Sequence, residues 1–177
     1  GGDVNFVNAK ISSSIPVYRK ETSINIEAAE ITYGEELIIN VALGEQINEN
    51  VRVTFNGENY TNALSNGSGQ LRISDLEAGK YVIIAKYTGN QNLTDSSADS
   101  SVIVNKLALP INVVADDITY GEDLYVISLL GNQTSIAYRA TGNVLIFIDG
   151  NMVRNISLAN ATVSAVIKDL MPGVYNI

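Results

Sequence analysis

The chain writes EITYGEELIINVAL at residues 30–43 and DITYGEDLYVISLL at residues 117–130, the same phrase at an offset of 87. Two more blocks recur in the same order. VRVTFNGENY (51–60) returns as VLIFIDGNMV (144–153), and ISDLEAGKYVI (73–83) returns as IKDLMPGVYNI (167–177), at offsets of 93 and 94. Three collinear blocks mark a duplicated structural unit. A copy of roughly 90 residues suits one small two-layer domain, which has no depth for an enclosed active site.

Within each copy the apolar residues alternate. Leu37, Ile39, Val41 and Leu43 share one parity, as do Val51, Val53 and Phe55, the pattern of half-buried strands. YVIIAKY (81–87) and SVIVN (101–105) are further β-branched runs, and no segment carries a helical stripe. Asn56-Gly57 and Asp149-Gly150 each follow a strand, the dipeptide that a tight type I′ hairpin prefers because both central residues need positive φ. The pattern predicts about seven short strands per copy, hence an all-β chain of two tandem Ig-like Greek-key sandwiches. DLEAGKY and DLMPGVY then read as tyrosine corners, in which the hydroxyls of Tyr81 and Tyr175 bond back to backbone. Leu76 and Leu170 are the expected core plugs beside them, and Asp75 and Asp169 the expected turn formers.

ITYGE-x-L, an apolar strand, NG or DG, and then DL-x-x-G-x-Y together resemble the bacterial Ig-like repeats of adhesin-like surface proteins from methanogenic archaea, over residues 21–177. The resemblance implies non-enzymatic modules on an extracellular stalk that supports cell adhesion, and it brings no catalytic residue with it. Residues 21–106 form the expected first domain and 107–177 the second. VNAK (7–10) resembles IIAK (83–86), and IPVYRK (15–20) resembles VIVNK (102–106). Residues 1–20 are therefore expected to be the terminal strands of a preceding repeat, or a strand-donating tail. The second copy stops at Ile177, inside the counterpart of the strand that holds Ile83, so its final strand is expected to be absent from this chain. An open sheet edge recruits strands, which makes residues 4–20 a candidate for strand exchange with domain 2 of the same or a neighbouring molecule. The alternative is a tail packed on domain 1.

Composition limits the chemistry. The chain has no cysteine and no histidine, which removes disulfides, thiolate zinc sites, and Ser-His-Asp or Cys-His catalysis. Net charge is −8 with no basic cluster, so nucleic acid and anionic membrane are not expected partners. No apolar run reaches the roughly 18 residues of a membrane span. No signal peptide opens the chain, and the expectation is an interior piece of a longer secreted or anchored protein.

Glu35-Glu36 and Glu122-Asp123 could suggest an acid–base pair. Adjacent strand residues point to opposite faces, however, so these read as solvated acids beside a turn. Asp116-Asp117, Asp95 and Asp99 lack the array needed for calcium, which takes about six to eight oxygens, and read as solvated loop residues. No catalytic, cofactor-binding or metal-ligating residue is expected. Lys86 raises the option of an isopeptide bond, though its alternation with Ala85 and Tyr87 equally suits an outward-facing lysine. Asn59, Asn66, Asn92, Asn132, Asn155 and Asn160 each begin an N-x-S/T sequon and are candidate glycosylation sites. The loop after the ITYGE strand is GEQINEN in copy one and GNQTSIAYRATGN in copy two. The longer loop carries Tyr138 and Arg139, residue types that anchor interfaces. They are the candidate contacts in the alternative reading, a carbohydrate- or protein-binding module. The partner in either reading is an unidentified surface protein or polysaccharide.

Overall fold

The structure is a computed structural model that describes residues 4–177, with the backbone alone for Gln133. It divides into two compact units, Gly1–Lys106 and Leu107–Ile177. The chain is all-β, and each unit packs two sheets as a β-sandwich.

Unit 1 holds β1 (Ile24–Ala28), β2 (Ile31–Thr32), β3 (Leu37–Leu43), β4 (Asn50–Phe55), β5 (Glu58–Ala63), β6 (Ser68–Ile73), β7 (Gly79–Tyr87) and β8 (Ser96–Asn105). One sheet runs β1-β3-β6 and the other β2-β8-β7-β4-β5, an Ig-like arrangement. Strand β8 lies between β7, antiparallel to it, and β2, parallel to it. The alternation read from the sequence is the alternation of burial. Leu37, Ile39, Val41 and Leu43 of β3 face Val51, Val53 and Phe55 of β4, together with Ile83, Ala85 and Tyr87 of β7. Each large side chain removed from water this way contributes about 1.5–3 kcal/mol. The β4–β5 turn has φ 47° at Asn56 and 88° at Gly57, the left-handed pair that a type I′ hairpin requires.

Unit 2 holds β9 (Ile111–Ala115), β10 (Leu124–Leu130), β11 (Asn143–Ile148), β12 (Asn151–Ser157) and β13 (Thr162–Ile167). The sheet β9-β10-β13 corresponds to β1-β3-β6, and the hairpin β11-β12 corresponds to β4-β5. Its core is Leu124, Val126, Ile146, Ile148, Val163, Ala165 and Ile167. The counterparts of β2, β7 and β8 form no strand among the described residues of this unit. The sequence places Ile177 within a strand, yet residues 168–177 join no ladder. In unit 1 the equivalent strand is held from both sides, by β4 and β8, whereas in unit 2 the β8-like neighbour is missing. Strand β11 pairs with β12 alone, and Leu145 and Phe147 stand 48% and 42% exposed where unit 1 has Arg52 and Thr54.

The N-terminal segment also differs from expectation. No strand precedes Ile24 among the described residues, so the expected terminal strands are not formed. A strand needs a neighbouring ladder, and in this segment Lys20 forms an isolated bridge to Leu93. Its N–H donates to the Asn92 carbonyl at 2.8 Å and its carbonyl accepts from the Thr94 N–H at 3.0 Å. Val7, Ile11, Ile15 and Val17 are exposed.

Candidate functional site

The ITYGE phrase builds one device twice. The Glu35 carboxylate accepts the Thr32 N–H at 2.6 Å while the Glu35 N–H donates to the Thr32 carbonyl at 3.0 Å. In unit 2 the Glu122 carboxylate accepts the Thr119 N–H at 2.7 Å and its N–H donates to the Thr119 carbonyl at 3.0 Å. Gly34 and Gly121, at φ 96° and 91°, let the chain double back between the two bonded residues. Both glutamates are exposed, as expected of solvated acids, but they also close the turn by reciprocal bonding to its backbone. The neighbouring acids go elsewhere. Glu36 meets Arg72 at 2.7 Å and Asp123 meets Lys168 at 3.1 Å. The bond to Asp123 holds the Lys168 amine above its ordinary range. The two acids of each pair therefore serve separate partners and do not converge.

The second repeated device is the tyrosine. The Tyr81 hydroxyl donates to the Glu77 carbonyl at 2.8 Å, and the Tyr175 hydroxyl donates to the Met171 carbonyl at 2.7 Å. Asp75 and Asp169 sit just before these turns at φ 57° and 59°, and Leu76 and Leu170 pack against their respective cores. Tyr81 also stacks on Phe55, with ring centroids 5.2 Å apart.

The long loop of unit 2 folds into two 3-10 turns, Gly131–Gln133 and Ala137–Arg139. Ala137 is fully buried against Gly131, where a Cβ would come within 2.6 Å of the Ala137 Cβ. That contact pins the loop base. Tyr138, 49% exposed, and Arg139 stand side by side above it. The asparagines of all six sequons are exposed. Asn59, Asn132 and Asn155 accept hydrogen bonds through Oδ1. Lys86 points outward between the buried Ala85 and Tyr87. Asp95, Asp99, Asp116 and Asp117 are exposed. Among the described residues no group of three or more Asp and Glu side chains is placed to hold a metal.

One feature escapes sequence reading altogether. Unit 2 contains an open cleft of about 410 Å³ between residues 115–120 and 170–175, with Leu124 and Ile177 also on its walls. Apolar side chains such as Ile118, Leu170 and Val174 and polar ones, Asp116 and Asp117 among them, line it together. Tyr120 is 68% exposed at this cleft. Its counterpart Tyr33 is tied through its N–H to the Asn105 carbonyl of β8 at 2.8 Å. Among the described residues of unit 2 no strand takes that place.

No protein-family model and no curated protein matches the chain. Among solved structures it is similar to one from work on the host cell surface retention of a 1.5-MDa bacterial ice-binding adhesin. There the identity is 17% and the TM-score 0.39, over 86% of this chain and 55% of that one. The chain thus spans about half the length of that structure. It is also similar to the fibronectin(III)-like modules of Clostridium thermocellum CbhA, at 13% identity and a TM-score of 0.40, over 86% of this chain and 81% of that one.

Proposed function

We propose that the chain is a non-enzymatic segment of an extracellular, adhesin-like stalk, in which Ig-like units in tandem project a binding region from the cell surface. The observation that carries this reading is what the duplication keeps. The Thr–Glu turn and the tyrosine corner recur with the same hydrogen bonds in both units. The acids beside the turns are engaged by separate lysine or arginine partners. Retained scaffold and unshared surface chemistry suit units that add length. An antibody against the chain should label intact source cells, and brief protease treatment of those cells should remove the signal. Labelling that needs permeabilised cells would refute the reading.

A second reading is favoured by the pinned loop of unit 2. Tyr138 and Arg139 stand on a rigid base, which suits recognition of a surface protein or polysaccharide. A glycan array or cell-binding assay with Y138A/R139A tests it. Lost binding at unchanged stability supports recognition by this loop, and unchanged binding removes it.

A further inference from the structure

We propose that the outer face of the β2-β8-β7-β4-β5 sheet of unit 1 binds an acidic polysaccharide, a sugar polymer whose carboxylates are spaced apart along its length.

The fold gathers what the sequence scatters. The lysine and arginine side chains on the strands of unit 1 are Arg52, Arg72, Lys80 and Lys86. Arg72, on the other sheet, is paired with Glu36. The remaining three stand on β4 and β7 at the outward positions of the alternation, on one face of one sheet. None of them forms an ion pair among the described residues. Arg52 and Lys86 are direct cross-strand partners, and like charges placed opposite each other destabilise a sheet.

Acids are scarce on this face, although the chain carries a net charge of −8. Glu58 of β5 turns to Tyr60, whose hydroxyl donates to it at 2.9 Å. Asp99 of β8 stands outward opposite Ile84, one rung from Lys86. Glu30 borders the far end, where its carboxylate accepts from the Asn105 amide at 3.4 Å. Three cations against Asp99 leave the face positive in an acidic molecule. That placement costs stability and calls for a ligand to explain it.

The layout selects the ligand. Lys80 and Lys86 lie six residues apart on β7, about 20 Å along the strand. Val82 and Ile84 fill the interval, and Ile103 of β8 lies beside them; they are 51%, 43% and 40% exposed. Charge at two ends and an apolar middle suit a polymer with separated acids. Nucleic acid, with one charge about every 1.7 Å, would lay uncompensated charge on that middle. Strands β4 and β7 are each hydrogen-bonded on both sides, so a peptide cannot join them as a further strand. Sugars need no such edge. Their C–H faces can lie on Val82, Ile84 and Ile103. Their hydroxyls can reach Thr61 and Ser101, which stand outward opposite Arg52 and Val82. The carboxylates then meet Arg52 with Lys86 at one end and Lys80 at the other. This site is separate from the Tyr138–Arg139 loop of unit 2 and does not depend on the stalk reading.

The test titrates the 177-residue chain with polygalacturonate oligomers at low salt and follows the backbone amides by NMR. Saturable shifts should cluster on β4, β7 and β8 of unit 1 and fade as salt screens the charges. R52Q/K86Q should weaken binding about tenfold or more, because two charge-assisted contacts are lost. The melting temperature of unit 1 should hold or rise in that variant, since a like-charge pair is gone. Y138A/R139A should bind as the unaltered chain does. No saturable binding at about millimolar uronate, or binding that R52Q/K86Q leaves intact, would overturn the inference. Polyglutamate binding as tightly as polygalacturonate would overturn it as well, by assigning the face to an acidic protein. Equal binding of a neutral glucan would remove the cations from the account.

Discussion

Tyr87 occupies an awkward place for a phenol. Its ring is 1% exposed in the core of unit 1, and its hydroxyl has no hydrogen-bond partner among the described residues. A buried hydroxyl without a partner costs about 1–3 kcal/mol in lost hydration. Tyr87→Phe removes that oxygen and keeps the ring where it packs. The loss is a few dispersion contacts at about 0.1–0.2 kcal/mol each, so the substitution should stabilise unit 1 by roughly 1 kcal/mol. For a unit of this size that raises the melting temperature by roughly 4–8 °C. Burial, and then the Glu49 carboxylate, push the Tyr87 phenol above its usual range, which adds a pH signature. Below about pH 10 the phenol is neutral in folded and unfolded chains alike and its contribution is constant. Above that the unfolded chain ionises first, so stability falls as pH rises toward the folded value. Y87F should abolish that part of the decline. Calorimetry resolves the question, with the transition of unit 2 as an internal control. An unchanged or lowered unit 1 transition would refute the reasoning, because it would mean that the hydroxyl is satisfied in the folded state.

Other substitutions separate the repeated devices. Gly67→Ala should destabilise unit 1 by about 2–4 kcal/mol in urea titration, because φ is +83° and the new Cβ would collide with the Glu45 carbonyl. Tyr175→Phe deletes the bond to the Met171 carbonyl and should lower the stability of unit 2 by about 1 kcal/mol, with the calorimetric transition of unit 1 unmoved. Glu35→Ala should cost unit 1 about 1 kcal/mol and Glu35→Gln less, since the amide oxygen can still accept the Thr32 N–H; equal losses in thermal melts would argue against the turn role.

The strands were legible because burial in a sandwich has the period of the backbone itself. Leu37 to Leu43 and Val51 to Phe55 show it in composition alone. Turn residues were legible too, because few side chains accept positive φ. The double role of Glu35 and Glu122 was not, since whether an exposed carboxylate bends back three residues is decided by torsion angles that residue type leaves free. Tyr33 and Tyr120 have the same local sequence and different surroundings, and only the presence or absence of a β8 neighbour tells them apart. The cleft follows from the same gap. It belongs to no motif, because it is formed by the place of a strand.

The parallel contact between β2 and β8 has a mechanical meaning. These strands lie near opposite ends of unit 1, and they run side by side in the same direction. Tension applied through the two ends of the unit therefore pulls the neighbours past each other along their length. Rungs loaded in this direction share the force and fail together, whereas a hairpin peeled from one end gives way bond by bond. Under such a pull, that short parallel pair acts as the latch of the unit.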